Sequence, residues 1–194
     1  MIETPLFLGT QIELTAVNAE KDAEALSLWS ADQEFVKVFM NGVFRPYSVA
    51  EMKKLFGEKL NKADENQSAY YFGLRSLGSE ELIGLLVVDW IWGSQQVGRL
   101  TLYFAEKAAL AQHGAEALRL GLHFGFMELS LHRLWTELSD HDPQLLAMFE
   151  AAGFLREVQR REAVYFDGCY YDQLGYALLK PEWKKHQEEV SNEK

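Results

Sequence analysis

The stretch VGRLTLYFAEKAALAQHGAEALRLGLHFGFMELSLHRLWTELS, residues 97–139, changes its hydrophobic period twice. Val97 to Phe104 is rich in apolar, aromatic and β-branched residues and reads as a strand. After Gly114, residues Ala117, Leu118, Gly121, Leu122, Gly125, Phe126 and Leu129 recur at the spacing of one buried helix face. Residues 132–138 then return to a strand. Gly121 and Gly125 each cost about 1 kcal/mol against Ala in a helix interior, which points to close approach of this helix to a sheet.

Working outward, Asp142 and Pro143 open a further helix, Gly153 supplies its left-handed stop, and Asp167-Gly168 marks a closing hairpin. Upstream, Gln11-Ile-Glu-Leu-Thr-Ala alternates as a first strand, and Asn18 to Ser30 reads as a helix capped by Asn18. Residues 31–47 look irregular, with a break at Pro46. Ser48 followed by Glu51 is a capping-box pattern that starts a helix to about Leu60. The polar stretch 61–68 reads as an exposed loop. Strands follow at 69–76 and 82–91, joined by a turn at residues 77–80, and Gly93-Ser94 turns the chain toward Val97.

This order resembles the GNAT superfamily of acyl-CoA-dependent N-acyltransferases, in its branch similar to ribosomal-protein and small-amine acetyltransferases. Gly153-Phe154, Arg161, Asp167-Gly168, Asp172 and Glu182-Trp183 match the branch's closing pattern, and Leu14, Asp22 and Trp29 match its opening. The resemblance implies a mixed α/β (α+β) fold with a mostly antiparallel central sheet flanked by helices. It implies one domain over residues 1–180, followed by a polar, partly disordered tail over 181–194. It also implies acetyl-CoA as co-substrate, an amine acceptor (a small molecule or a protein N-terminus) and transfer of an acetyl group to a primary amine. The alternative is a GNAT-shaped binding or regulatory module with little or no turnover.

Carried over position by position, the resemblance places the pantetheine arm on backbone near Leu102, Tyr103 and Phe104. It places the phosphates at Gln112, His113, Gly114 and Ala115, where a helix start would present free N–H groups. The family's loop has Arg or Gln, two residues, Gly, one residue, then Gly or Ala. Here those positions are Ala109, Gln112 and Gly114, so only the last matches. Asp142 stands where the family has Asn, a pantetheine contact, and also suits a helix cap. Phe149 replaces the family's acidic Tyr, and it is counted among the cofactor contacts. The fourth-strand Glu position is Arg99. Glu137 and Asp89 remain as carboxylates that could face the cleft and assist proton transfer.

Composition sets wider bounds. A net charge of -10 over 194 residues argues against broad nucleic-acid binding, which relies on Lys and Arg. No apolar run approaches the ~20 residues of a membrane span, and no signal peptide is visible. One cysteine, Cys169, precludes an internal disulfide and fits a reducing compartment, so a cytoplasmic location is expected. The five histidines form no ligand pairs with that cysteine, and neither a phosphate loop nor a His-Glu-xx-His helix is present, so no metal is expected. Trp90 and Trp92 share one strand face, suited to core or dimer packing with a substrate-lining role as the alternative, and a homodimer is compatible with them.

Overall fold

A computed structural model of the chain describes residues 6–40 and 44–192. Seven strands form one sheet in the order β1-β2-β3-β4-β5-β7-β6. They are β1 (Ile12–Ala16), β2 (Tyr70–Ser76), β3 (Leu82–Trp92), β4 (Val97–Phe104), β5 (Arg133–Ser139), β6 (Leu155–Phe166) and β7 (Cys169–Leu179). Every pairing is antiparallel except that of β4 with β5, which is parallel. The mixed, mostly antiparallel sheet expected from sequence is therefore present.

Strand β3 shows why the sheet is covered on both faces. Its centre is apolar at every position, and successive side chains point to opposite sides. Leu85 and Val87 enter a core with Tyr103, under α1 (Ala23–Trp29), the short helical turn α2 (Gln33–Phe35) and α3 (Val49–Asn66). Leu86 and Val88 enter the opposite core, under α4 (Lys107–His123), α5 (Pro143–Ala151) and α6 (Lys180–Asn192). Full burial of each such side chain contributes about 1.5–3 kcal/mol.

The glycines of α4 and of the π-helical turn Phe124–Glu128 that continues it lie against the sheet. A Cβ at Gly121 would sit 2.6 Å from Leu86 Cδ1, and one at Gly125 would sit 2.8 Å from Leu134 Cδ1. Close helix–sheet approach is thus the reason for both. Asp142 caps α5 by accepting from the Leu145 N–H at 2.9 Å, Pro143 begins the helix, and Gly153 follows it at φ +93°.

Several boundaries differ from expectation. Helix α1 starts at Ala23, because the Asn18 side chain accepts from the N–H groups of Glu20 and Lys21 and holds a turn instead. Residues 33–40 are helical, as α2 and a π-helical turn Val36–Met40, while residues 41–43 of the expected irregular stretch lie outside the described residues. The Ser48–Glu51 capping box forms, but α3 runs on to Asn66 through the expected loop, with Ala63 buried. The expected tail is helix α6, and Trp183 anchors it, 7% exposed with its ring 5.1 Å from Phe126.

The largest difference is the start of α4. It begins at Lys107, seven residues before Gly114, because Ala108, Ala109, Leu110, Ala111 and Gln112 are all good helix formers and no glycine interrupts them. Gly114 lies inside the helix, where a Cβ would come 2.6 Å from Met148 Sδ on α5. Its smallness serves the α4–α5 contact.

Candidate active site

Strands β4 and β5 pair only through Val97, Gly98 and Arg99 against Arg133, Leu134 and Trp135. Beyond that they diverge, and residues 100–104 keep β3 on one edge with no strand on the other among the described residues. The divergence opens a cleft of about 680 Å³. Its walls include Leu102, Tyr103 and Phe104 from β4, and Glu137 and Ser139 from β5. Asp32 and Glu34 close one side, and His141 and Asp142 follow β5.

Glu34 is held there by its neighbours. Asp32 caps α2 by accepting from the Glu34 N–H at 2.8 Å and also accepts from the Tyr103 hydroxyl at 2.8 Å. Phe35 is fully buried, with its ring 5.2 Å from Tyr103 and 5.8 Å from Trp29. The backbone of α2 is thereby pinned to β4, and Glu34 points to His141, whose Nε2 lies 3.3 Å from Glu34 Oε1. Burial, then the charges of Asp142 and Asp32, push the Glu34 carboxyl up to about 7 despite Lys107 and Lys37 nearby. Burial likewise lowers the His141 imidazole, so the ring does not hold the Glu34 carboxyl as a cationic partner.

The hairpin of β6 and β7 covers this corner. The Phe166 ring stacks on His141 at 4.5 Å, the Asp167 N–H donates to Gln33 Oε1 at 3.2 Å, and Lys37 donates to the Tyr165 carbonyl. Two buried polar atoms in the cleft, Ser139 Oγ and His141 Nδ1, have no hydrogen-bond partner among the described residues. No group of three or more metal-ligating side chains occurs among the described residues.

The sequence-derived positions fare unevenly as neighbours of this cleft. Leu102, Tyr103, Phe104, Asp142, Glu137 and Asp89 line it. Asp89 takes a bidentate bond from Arg99 at 2.7 and 2.8 Å, and Glu137 accepts from Arg160 and Gln173, so both carboxylates are engaged. Gln112, His113, Gly114 and Ala115 sit in mid-helix with their N–H groups inside the helical ladder, and none lines the cleft. His113 is buried. Phe149 is fully buried edge-on to Phe154, in the core and away from the cleft. Trp90 lines the cleft and Trp92 does not, and both are more than half exposed, outside the core.

Glu34 and His141 escaped the sequence reading. Their local signal is slight: an acidic residue two after a cap-forming Asp, and a His between two aspartates.

Against coenzyme A, these residues fit in part. The open edge of β4 offers backbone donors and acceptors suited to pantetheine amides. The positions assigned to the phosphates offer no free N–H groups; the free ones belong to the uncapped first turn of α4 at Lys107, which lines the cleft.

The GNAT acetyltransferase domain model matches residues 11–155. The chain is 27% identical over 177 residues to a Bacillus subtilis (strain 168) protein named "Probable N-acetyltransferase YjcK", covering 90% of this chain and 97% of that one. It is 26% identical to another from the same organism, "Uncharacterized N-acetyltransferase YnaD", covering 84% and 91%. The crystal structure of spermidine N-acetyltransferase from Vibrio cholerae in complex with CoA and spermine superposes with a TM-score of 0.76 at 19% identity, covering 91% of this chain and 99% of that one.

Proposed function

The chain belongs to the GNAT family of acetyltransferases, and from that premise we propose that it moves an acetyl group from acetyl-CoA to the primary amine of a small molecule, with Glu34 as general base. The observation that carries the proposal is the Glu34–His141 pair beside the open edge of β4. An amine reaches the site as an ammonium and must lose a proton before its lone pair can attack. A carboxyl matched to neutral pH performs that transfer best, and Glu34 is pushed to about 7. Asp32 and Asp142 add negative charge that favours a cationic acceptor.

Along the open edge of β4, backbone N–H groups are suited to polarise a thioester carbonyl laid against them. The C–N bond forms as the C–S bond breaks. The first ammonium proton passes to Glu34, and the second leaves nitrogen on collapse to neutralise the departing thiolate. Phe149 takes no part, having no hydroxyl and no face on the cleft. A small acceptor is supported by the hairpin contacts from Asp167 and Lys37, which close the corner of the cleft over Glu34. The family's use of acetyl-CoA, and a Vibrio cholerae relative in fold that acetylates spermidine, agree with this assignment.

The test is thiol release from acetyl-CoA across a panel of primary amines, including diamines and polyamines, alongside calorimetric titration of acetyl-CoA. Turnover with a small amine that collapses in Glu34→Gln is the expected result. No heat of binding at millimolar acetyl-CoA and no turnover with any amine would overturn the assignment.

A further inference from the structure

The cleft holds its charges at two levels of β4. Arg99, Thr101 and Tyr103 alternate onto one face of the strand, which puts Arg99 and Tyr103 about 13 Å apart on the same side. At the Tyr103 level stand Asp32, which accepts from the Tyr103 hydroxyl, and Glu34. At the other level, where β4 and β5 still pair, stand Arg99 and Asp89. Lys59 reaches toward this second group from α3, with its ammonium 5.8 Å from the Tyr71 ring and close enough to Arg99 and Asp89 to feel both charges. Tyr71 lies in register with Val87, and Val87 with Thr101.

The second group has one cation to spare. Asp89 accepts from Arg99 Nε and Nη2, and Glu137 accepts from Arg160. Lys59 donates to the Phe39 carbonyl and forms no ion pair among the described residues. Burial lowers its ammonium below the ordinary lysine value, so an anion seated beside it would offset that cost. Arg99 adds direction. A guanidinium has five N–H groups, and Asp89 takes two of them, which leaves a fork for a second acceptor. The Trp90 and Trp135 rings flank it at 5.9 and 5.7 Å and hold it at the root of the cleft.

We propose that Lys59 and Arg99 bind a carboxylate of the acceptor, so that the acceptor class is an ω-amino carboxylate, with its amine at Glu34 and its carboxylate at the root of the cleft. The proposal rests on the amine-acetyltransferase assignment above and deepens it. An α-amino acid carries both charges on one carbon, whereas the two levels of β4 call for a chain between them. The carboxylate takes no part in the bond changes. The thioester C–S bond is exchanged for an amide C–N bond, and the amine's proton ends on the released thiol.

The experiment compares kcat/KM with acetyl-CoA for ε-aminocaproate, its amide and hexamethylenediamine, which share one chain and differ in the far group. Calorimetric titration of the acetylated carboxylate and of its amide into the intact chain reads the same preference without turnover. The expected result is an advantage of about tenfold or more for the carboxylate in both measurements, the size of one charge-assisted contact. Lys59→Met should bring carboxylate and amide near parity, with the loss falling on the KM of the acceptor, and Lys59→Arg should keep the preference. Equal rates for all three acceptors, or a preference for the diamine, would overturn the carboxylate site and leave the acetyltransferase assignment standing. A loss in Lys59→Met that falls on the KM of acetyl-CoA would also overturn it, by giving the cation to the donor's phosphates. No turnover with these acceptors or with the wider amine panel would remove the assignment and the proposal together.

Discussion

Glu34 Oε1 and His141 Nε2 meet at 3.3 Å across the mouth of the cleft, joining the turn after α1 to the turn after β5. Each belongs to a segment fixed by its own cap: Asp32 caps the turn that carries Glu34, and Asp142 caps the helix that follows His141. The proposed proton acceptor is therefore positioned by two helix starts rather than by a strand.

Replacing Glu34 with Gln should lower kcat/KM by about a hundredfold or more. In the unsubstituted enzyme the rate should climb with pH through about 7, as the carboxyl ionises, and that inflection should vanish in the variant. Stability moves in the opposite sense. The folded-state value lies above the ordinary 4.5, so the folded protein holds this proton more tightly than the unfolded chain does. The contribution is whole below pH 4.5 and is lost as pH rises through about 7. Melting curves from pH 4 to 9 should show that decline in the original and a flatter profile in Glu34→Gln.

Asp22 and Arg75 form an ion pair at 2.7 Å with side chains only 4% and 12% exposed, and Asp22 also accepts from the Asn18 N–H. Asp22→Ala leaves the largely buried guanidinium without its counter-charge, although bonds to Thr15 Oγ1 and the Glu80 carbonyl remain. The expected loss is roughly 3–5 kcal/mol in denaturant titration.

Trp183 joins α6 to Phe126 and His123. Trp183→Ala should cost about 3–5 kcal/mol, since it leaves a ring-sized cavity. A stability change within a few tenths of a kcal/mol would mean that the C-terminal segment behaves as a tail.

Writing the family's loop residues back into α4 tests whether its extra turns are structural. In the double variant Ala109→Arg, Gln112→Gly, glycine in mid-helix should cost about 1 kcal/mol. Affinity for coenzyme A, followed by calorimetry, should stay unchanged unless the helix shortens. A marked tightening with the fold intact would show that the phosphate loop is latent in this segment.

Phe149→Tyr should lose roughly 1–3 kcal/mol, because the new hydroxyl is buried without a partner, and thiol release should not accelerate. A faster enzyme would return that helix to the chemistry.

Much of the architecture is legible in the chain itself. The alternation of β1, the doubly apolar run of β3, the Ser48–Glu51 capping box and the Asp142, Pro143 and Gly153 punctuation of α5 all depend on residues within a few positions of one another. Local propensity also signals the early start of α4, in Ala108, Ala109 and Ala111, but the resemblance to a glycine loop pointed seven residues downstream.

The site is another matter. By residue type alone, Asp89 and Glu137 are as good as any carboxylate, and only the folded sheet shows Arg99 and Arg160 against them. Nothing near Glu34 in the chain announces a base. Its carboxyl is raised to about 7 because folding takes water away from it and carries Asp142 from far along the chain to its side. Periodicity and caps are short-range and were set by the sequence alone. Desolvation and charge proximity arise only when distant segments meet, so the tertiary structure decided which acid can work.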